Sequence, residues 1–250
     1  MTKNAIVVER LAKSFGRKSV YRGLELEIRR GETLTVLGPS GTGKSVLLKL
    51  IIGLIKPDAG RVLVDGVDVT PLDERALRDV RRKIGMLFQG AALFDSCSVG
   101  ENVAYGLNEH FRWPREKVAA RVAECLEWVG LANSERLRPA DLSGGMKKRV
   151  ALARAIAPGP EILLYDEPTT GLDPANTRRI NELIVSMNKR LGVTSVVITH
   201  DVASAFAVSN RIGLVADQRI PLVIDVEAAR AHPPAALESF VRGDLQEGAQ

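Results

Sequence analysis

The chain alternates between short apolar runs and longer stretches in which apolar residues return every three or four positions. Runs at 34–37, 84–88 and 161–165 are mostly apolar, 194–199 has Val196, Val197 and Ile198 at its centre, and the four stop at Gly38, Gln89, Asp166 and His200. Apolar runs of this length, bounded by polar or turn residues, read as buried strands. Residues 21–28 differ: Leu24, Leu26 and Ile28 alternate with Glu25 and Glu27, the period of a half-buried strand. Further strands are expected at 5–8, 61–64, 211–215 and 219–224, and Asp65-Gly66 is a hairpin turn signal. Helical spacing is expected at 46–55, 73–83, 146–157, 174–191 and 202–208. Pro158-Gly159-Pro160 closes the third of these, and Pro174 opens the fourth where proline is tolerated. From 99 to 138 the pattern turns helical, with Val118, Val122, Leu126 and Val129 on one face, as in an inserted helical subdomain. The tail from 227 carries a weaker helical pattern through Ala236, Leu237, Phe240 and Val241. The class is α/β.

One stretch adds chemistry to this pattern. Gly38-Pro39-Ser40-Gly41-Thr42-Gly43-Lys44-Ser45 lies between an expected strand and an expected helix. Backbone N–H groups in such a turn point inward, and the helix dipole adds positive potential, so the loop is a seat for polyphosphate. Gly38, Gly41 and Gly43 let the backbone close without a Cβ in the way. Lys44 can reach the β- and γ-phosphates and Ser45 can ligate Mg²⁺. At the end of another strand, Asp166-Glu167 offers a Mg²⁺ ligand and a group to orient or deprotonate water, and His200 ends a further strand of the same kind. Read alone, the two acids could cap a helix and His200 could be structural.

Composition narrows the setting only slightly. A chain of 250 residues with 45% hydrophobic and 26% charged residues can bury a large core. The net charge of +5 is compatible with nucleotide, anionic lipid or nucleic acid. Aromatic content of 4% argues against single-strand binding. The basic runs Arg81-Arg82-Lys83 and Lys147-Lys148-Arg149 are expected to be solvated helix faces. Cys97 and Cys125 match no metal spacing and read as reduced thiols. The first residues lack the apolar stretch of a signal peptide, and 46–55 is too short to span a bilayer. A membrane function would need a partner.

Further motifs carry a family resemblance. Leu142-Ser143-Gly144-Gly145-Met146 resembles the signature of the ABC (ATP-binding cassette) ATPases. Leu163-Leu164-Tyr165-Asp166-Glu167 resembles their Walker B strand, Gly171-Leu172-Asp173 their D-loop, Gln89 their Q-loop glutamine and His200 their switch histidine. Order and spacing match from about 5 to 216. The resemblance implies a P-loop NTPase (RecA-like) core with an antiparallel β subdomain and an inserted helical signature subdomain. It divides the chain into a core at 1–89 and 158–226, a helical subdomain at 90–157 and a tail at 227–250.

The resemblance also implies roles. ATP and Mg²⁺ would be held by 38–45, with Ser45, Asp166 and Gln89 at the metal. Glu167, His200 and Gln89 would serve hydrolysis. Phe15 would stack on adenine, with a core role as its alternative; Tyr21, at a strand start, suits stacking less. Ser143, Gly144, Gly145 and Asp173 would face the ATP of a second subunit in a homodimer. Met146 departs from the glutamine that many members carry.

Within the family, Phe88-Gln89-Gly90-Ala91-Ala92-Leu93-Phe94-Asp95-Ser96, continuing to Val99-Gly100-Glu101-Asn102-Val103, is similar to the ATPases of MCE-associated (Mla-type) lipid transporters. Phe240-Val241-Arg242-Gly243 is similar to their endings, and 218–224 lacks the glycine hairpin of many importers. The resemblance implies a peripheral subunit on the cytoplasmic face of the inner membrane. Its partners would be integral-membrane permease subunits and an MCE-domain protein, with no nucleic acid. Leu93, Phe94 and Val99 would receive a coupling helix of the permease. Importers of amino acids or other small solutes, lipoprotein extractors and soluble nucleic-acid ATPases are the alternatives.

Overall fold

A computed structural model describes residues 3–242. They form two compact units, one made of 3–81 with 194–242 and the other of 82–193.

The chain enters the first unit through β1 (Asn4–Phe15) and β2 (Lys18–Arg29), an antiparallel pair in which Val8 faces Leu26 and Leu11 faces Leu24. Leu24, Leu26 and Ile28 are buried while Glu25 and Glu27 are exposed, so the alternation in the sequence is the pleat of a one-sided sheet. Strand β1 runs on well beyond 5–8 because a register shift between Val8 and Leu11, with Arg10 at φ 45°, lets it bend and keep pairing. Next come β3 (Thr33–Leu37), all five residues buried, and α1 (Lys44–Ile51). The antiparallel strands β4 (Ala59–Val64) and β5 (Val67–Asp68) turn at Asp65 and Gly66, both at positive φ. They complete a sheet of order β2-β1-β4-β5, and α2 (Glu74–Arg81) follows.

The second unit opens with β6 (Ile84–Leu87), then α3 (Val99–His110), α4 (Arg115–Trp128) and α5 (Gly144–Ile156). A parallel partner of β6 follows as β7 (Ile162–Asp166), and α6 (Pro174–Leu191) closes the unit. Helix α6 keeps the limits written in its sequence. Asp173 caps its start by accepting from Ala175 N and Asn176 N, both at 2.9 Å, and Gly192 takes the left-handed C-cap at φ 64°.

The chain returns to the first unit as β8 (Thr194–Thr199), α7 (Val202–Val208), β9 (Arg211–Ala216) and β10 (Arg219–Asp225). Strand β3 runs parallel between β8 and β9, and β10 pairs antiparallel on β9. Burial of every residue of β3 and β8 is what a parallel sheet covered on both faces requires. The β9–β10 turn is made by Asp217 and Gln218, both at positive φ, so a tight hairpin forms without glycine. Helices α8 (Val226–Ala231) and α9 (Ala235–Arg242) pack Val226, Ala229 and Leu237 against Leu37, Ile212 and Leu214. Gly243 lies outside the described residues.

Candidate functional site

The first unit holds the glycine loop. Strand β3 ends at Leu37 and α1 starts at Lys44, so residues 38–43 are the turn between them. Gly43 is the N-cap of α1 at φ 94° and brings no capping side chain. A Cβ on it would meet Val20 Cγ1 at 2.1 Å, so both conformation and space demand glycine there. Its carbonyl accepts from Val46 N, Leu47 N and the Tyr21 hydroxyl, the last at 2.9 Å. Tyr21 is fully buried, which removes it as a base-stacking surface and makes it a brace under the loop. Burial pushes its phenol well above the ordinary tyrosine range, so it remains a donor.

On the other side of the loop, Thr42 Oγ1 donates to Pro39 O at 2.8 Å. Lys44 is buried, and its ammonium donates to the carbonyls of Gly38 and Pro39, both at 2.8 Å. The cation is therefore held over the loop's own main chain, with half-buried Ser45 next in sequence. Thr199 pairs with Leu37 in the parallel ladder, so His200 leaves the sheet beside the start of the loop. His200 is exposed, and its neighbour Asp201 caps α7 through Ala203 N and Ser204 N. Phe15, at the end of β1, is 50% exposed with the Lys13 ammonium 5.3 Å from its ring centre. An exposed aromatic is not a core residue. A cation, a hydroxyl and a helix N-terminus around a glycine turn fit a polyphosphate, and hard oxygen donors fit Mg²⁺.

The second unit carries the remaining expected residues. Asp166 and Glu167 are buried at the C-terminal end of β7. Glu167 sits at φ 46°, a left-handed conformation that costs an L-residue about 1–2 kcal/mol. Thr170 supports it twice, by N–H to the Glu167 carbonyl at 3.3 Å and by Oγ1 to the carboxylate at 3.1 Å. Gln89 follows β6, and its carbonyl accepts from Lys148 Nζ at 2.5 Å. The same ammonium donates to the Glu167 carbonyl at 3.1 Å. Burial pushes Lys148 below the ordinary lysine range, while the Glu167 and Asp166 carboxylates pull it back up.

Lys148 corrects the expectation of a solvated basic face. Of that run, Lys148 is buried, and Arg149 donates to the carbonyls of Val129 and Gly130 at the end of α4. Similarly, Arg81 of the other run donates to the Ile52 and Gly53 carbonyls that follow α1. A signal for Lys148 was present: it stands three residues after Gly145 and four before Leu152, on the buried stripe of α5.

Ser143 caps α5, accepting from Met146 N at 3.3 Å. Gly145 is buried, and a Cβ there would meet Asn176 Oδ1 at 2.6 Å. Gly144 has only Leu172 Cδ2 within contact range, at 3.9 Å. The Asp173 carboxylate is engaged in capping α6, and its hydrogen bonds from the Asn176 backbone and side chain hold its pKa below the ordinary range. After Gln89, Ala91 and Ala92 both take positive φ, with their carbonyls accepting from Arg154 at 2.8 and 2.6 Å. Asn102 fixes the next turn by bonding the Phe94 N–H and the carbonyls of Phe94, Cys97 and Ser98. Phe94 is exposed against the Tyr105 ring, whereas Val99 is fully buried. Val99 is thus core and offers no surface to a docking helix, which leaves Leu93 and Phe94 of the expected contacts.

A glycine loop between a buried parallel strand and a helix, with a histidine following the neighbouring strand, is the arrangement of a phosphate-binding NTPase loop. The chain belongs to the ABC transporter family, whose model matches residues 21–170. It is 47% identical over 238 residues to the methionine import ATP-binding protein MetN 2 of Rhodococcus jostii, covering 93% of this chain and 70% of that protein. It is 41% identical over 220 residues to the intermembrane phospholipid transport system ATP-binding protein MlaF of Haemophilus influenzae, covering 88% and 83%. The solved cassette MJ0796, a dimer in a post-hydrolysis state bound to ADP and Pi, superposes with a TM-score of 0.82 at 34% identity, covering 88% of this chain and 98% of that one. The chain is an ABC ATPase that binds and hydrolyses ATP. Among the described residues no helix is long and apolar enough to cross a membrane.

Proposed function

We propose that this chain powers a transporter that moves phospholipid or another lipid, working as a homodimer against permease subunits and an MCE-domain partner at the cytoplasmic face of the inner membrane. The observation that carries this reading is the 41% identity to MlaF over most of both chains, together with the Mla-like segment 88–103. The loop 38–45 binds the phosphates, with Lys44 neutralising the β- and γ-oxygens, and Phe15 covers the adenine. Ser45, Asp166 and Gln89 are the oxygen ligands suited to Mg²⁺, which when bound offsets phosphate charge. Glu167 orients the attacking water and takes its proton, and His200 holds the γ-phosphate side. Ser143, Gly144, Gly145 and Asp173 serve the nucleotide of the second copy. ATP binding closes the pair and drives the permease; hydrolysis reopens it.

A second reading, ATPase of an amino-acid importer, is favoured by the 47% identity to MetN 2. Gentle detergent isolation of the full chain from its native membrane, with mass spectrometry of proteins and lipids, separates the two. Recovery of a multi-span permease, an MCE-domain protein and phospholipid is expected. A permease with a soluble solute-binding protein would overturn the lipid assignment and support the importer.

A further inference from the structure

The basic side chain that the sequence hid is the strongest unassigned feature of the second unit. Lys148 projects from α5, the helix that begins with Ser143-Gly144-Gly145, and its ammonium reaches two loops: the carbonyl after β6 at Gln89 and the carbonyl after β7 at Glu167. An ammonium has three donors in a compact head, so it can bridge two carbonyls that belong to different strands. A buried cation is costly where an apolar side chain would pack without penalty. What the cation provides in return is geometry. Glu167 holds a left-handed conformation, and such backbone persists only where its surroundings over-determine it. Thr170 supplies local support from three residues on, whereas Lys148 ties the strained residue to a separate helix.

We propose that Lys148 is a positioning residue for hydrolysis, fixing the Glu167 main chain relative to Gln89 so that the Glu167 carboxylate keeps its working direction. This rests on the reading of Glu167 as the group that orients water. Lys148 touches no substrate atom in this scheme; it acts through the backbone of its two partners. The signature helix, the glutamine loop and the acid after β7 are thereby joined by one side chain.

The test is steady-state ATP hydrolysis with Mg-ATP by the full chain, with binding of a fluorescent ATP analogue measured separately. Lys148→Met keeps the volume and removes both hydrogen bonds. The expected result is a kcat lowered about 10- to 100-fold, the range for losing charge-assisted bonds, with KM and analogue affinity within about twofold. Lys148→Arg, which retains donors, is expected to recover most of the rate, a rescue that loss of packing alone does not give. In a Glu167→Gln background, Lys148→Met is expected to slow the residual rate no further, because residues acting as a unit are non-additive. If the methionine variant does not fold, Lys148→Gln, which keeps a neutral amide donor and loses the charge, is measured in its place and is expected to lower kcat at least about fivefold. A kcat within about twofold of the parent in the folded variant, or equal slowing in the Glu167→Gln background, would overturn the proposal. Slow Glu167→Gln beside fast Lys148→Met removes the role of Lys148 alone. Fast Glu167→Gln removes the reading of Glu167 and this proposal with it.

Discussion

Gly43→Ala is the perturbation whose cost the structure divides most cleanly. Two effects act at this position. The backbone sits at φ 94°, where a Cβ costs about 1–2 kcal/mol whatever surrounds it. The new Cβ would also lie 2.1 Å from Val20 Cγ1, an overlap that forces side chains or backbone to shift at about 1–3 kcal/mol. The remaining neighbours are ordinary contacts, Val20 Cβ at 3.6 Å and Tyr21 Cε2 at 3.7 Å. Removing the Val20 γ-carbons therefore removes the overlap and leaves the conformational cost. Val20→Ala alone deletes two buried methyl groups and is expected to cost about 2 kcal/mol. In that background Gly43→Ala is expected to cost only about 1–2 kcal/mol, against about 2–5 kcal/mol in the parent. The assay is urea unfolding of the four proteins followed by far-UV circular dichroism, with ATP-analogue binding as a second readout. Costs that add within about 0.5 kcal/mol would refute the overlap argument. The double variant should also bind nucleotide better than Gly43→Ala alone, since Gly43 opens the helix behind the loop.

Cys125 supplies two further predictions. It is fully buried on α4, and burial pushes its thiol up to about 11. At pH 8 a thiol reagent should modify Cys97 in the native protein and reach Cys125 only on unfolding; prompt labelling of both would contradict the burial. The folded pKa exceeds the unfolded one, so its contribution is complete below pH 9 and is lost as pH rises through about 11. Stability should fall by up to about 2 kcal/mol over that window, and Cys125→Ala should flatten the fall, as read by unfolding at successive pH values.

Much of this molecule was legible in the sequence because local chemistry and global fold agree there. Buried strands β3, β7 and β8 are the runs of apolar residues, and β2 shows its one-sided burial in the alternation of leucine and glutamate. Helix α6 runs from Pro174 to Leu191 as its spacing predicts, with proline in the first turn where it is tolerated. The strand–glycine turn–helix arrangement at 34–51 was readable for the same reason, because the glycines fall between an apolar run and a helical spacing. Failures arose where a side chain's role is set by distant partners. Charge suggested solvent for Lys148, but its position on the α5 stripe buries it against the Gln89 and Glu167 carbonyls. Apolar character suggested a docking surface for Val99, but as the first residue of α3 it turns inward. Tyr21 reads in sequence only as a poor stacking candidate at a strand start, because its partner, the Gly43 carbonyl, lies 22 positions away. The β9–β10 turn lacks glycine, yet Asp217 and Gln218 take the left-handed conformation, so an absent turn signal did not mean an absent turn.

The measurement that tests the account most directly is ATP turnover by Glu167→Gln beside the parent chain, with nucleotide occupancy and molecular mass determined in the presence of Mg-ATP. The carboxylate and the amide are close in shape, so the buried site and its Thr170 contact tolerate the change while proton acceptance is lost. The account predicts normal ATP binding, a dimer that stays closed with ATP retained, and turnover lowered by roughly 100-fold or more. Undiminished turnover by a chain that binds ATP normally would contradict the assignment of Glu167 and the mechanism built on it.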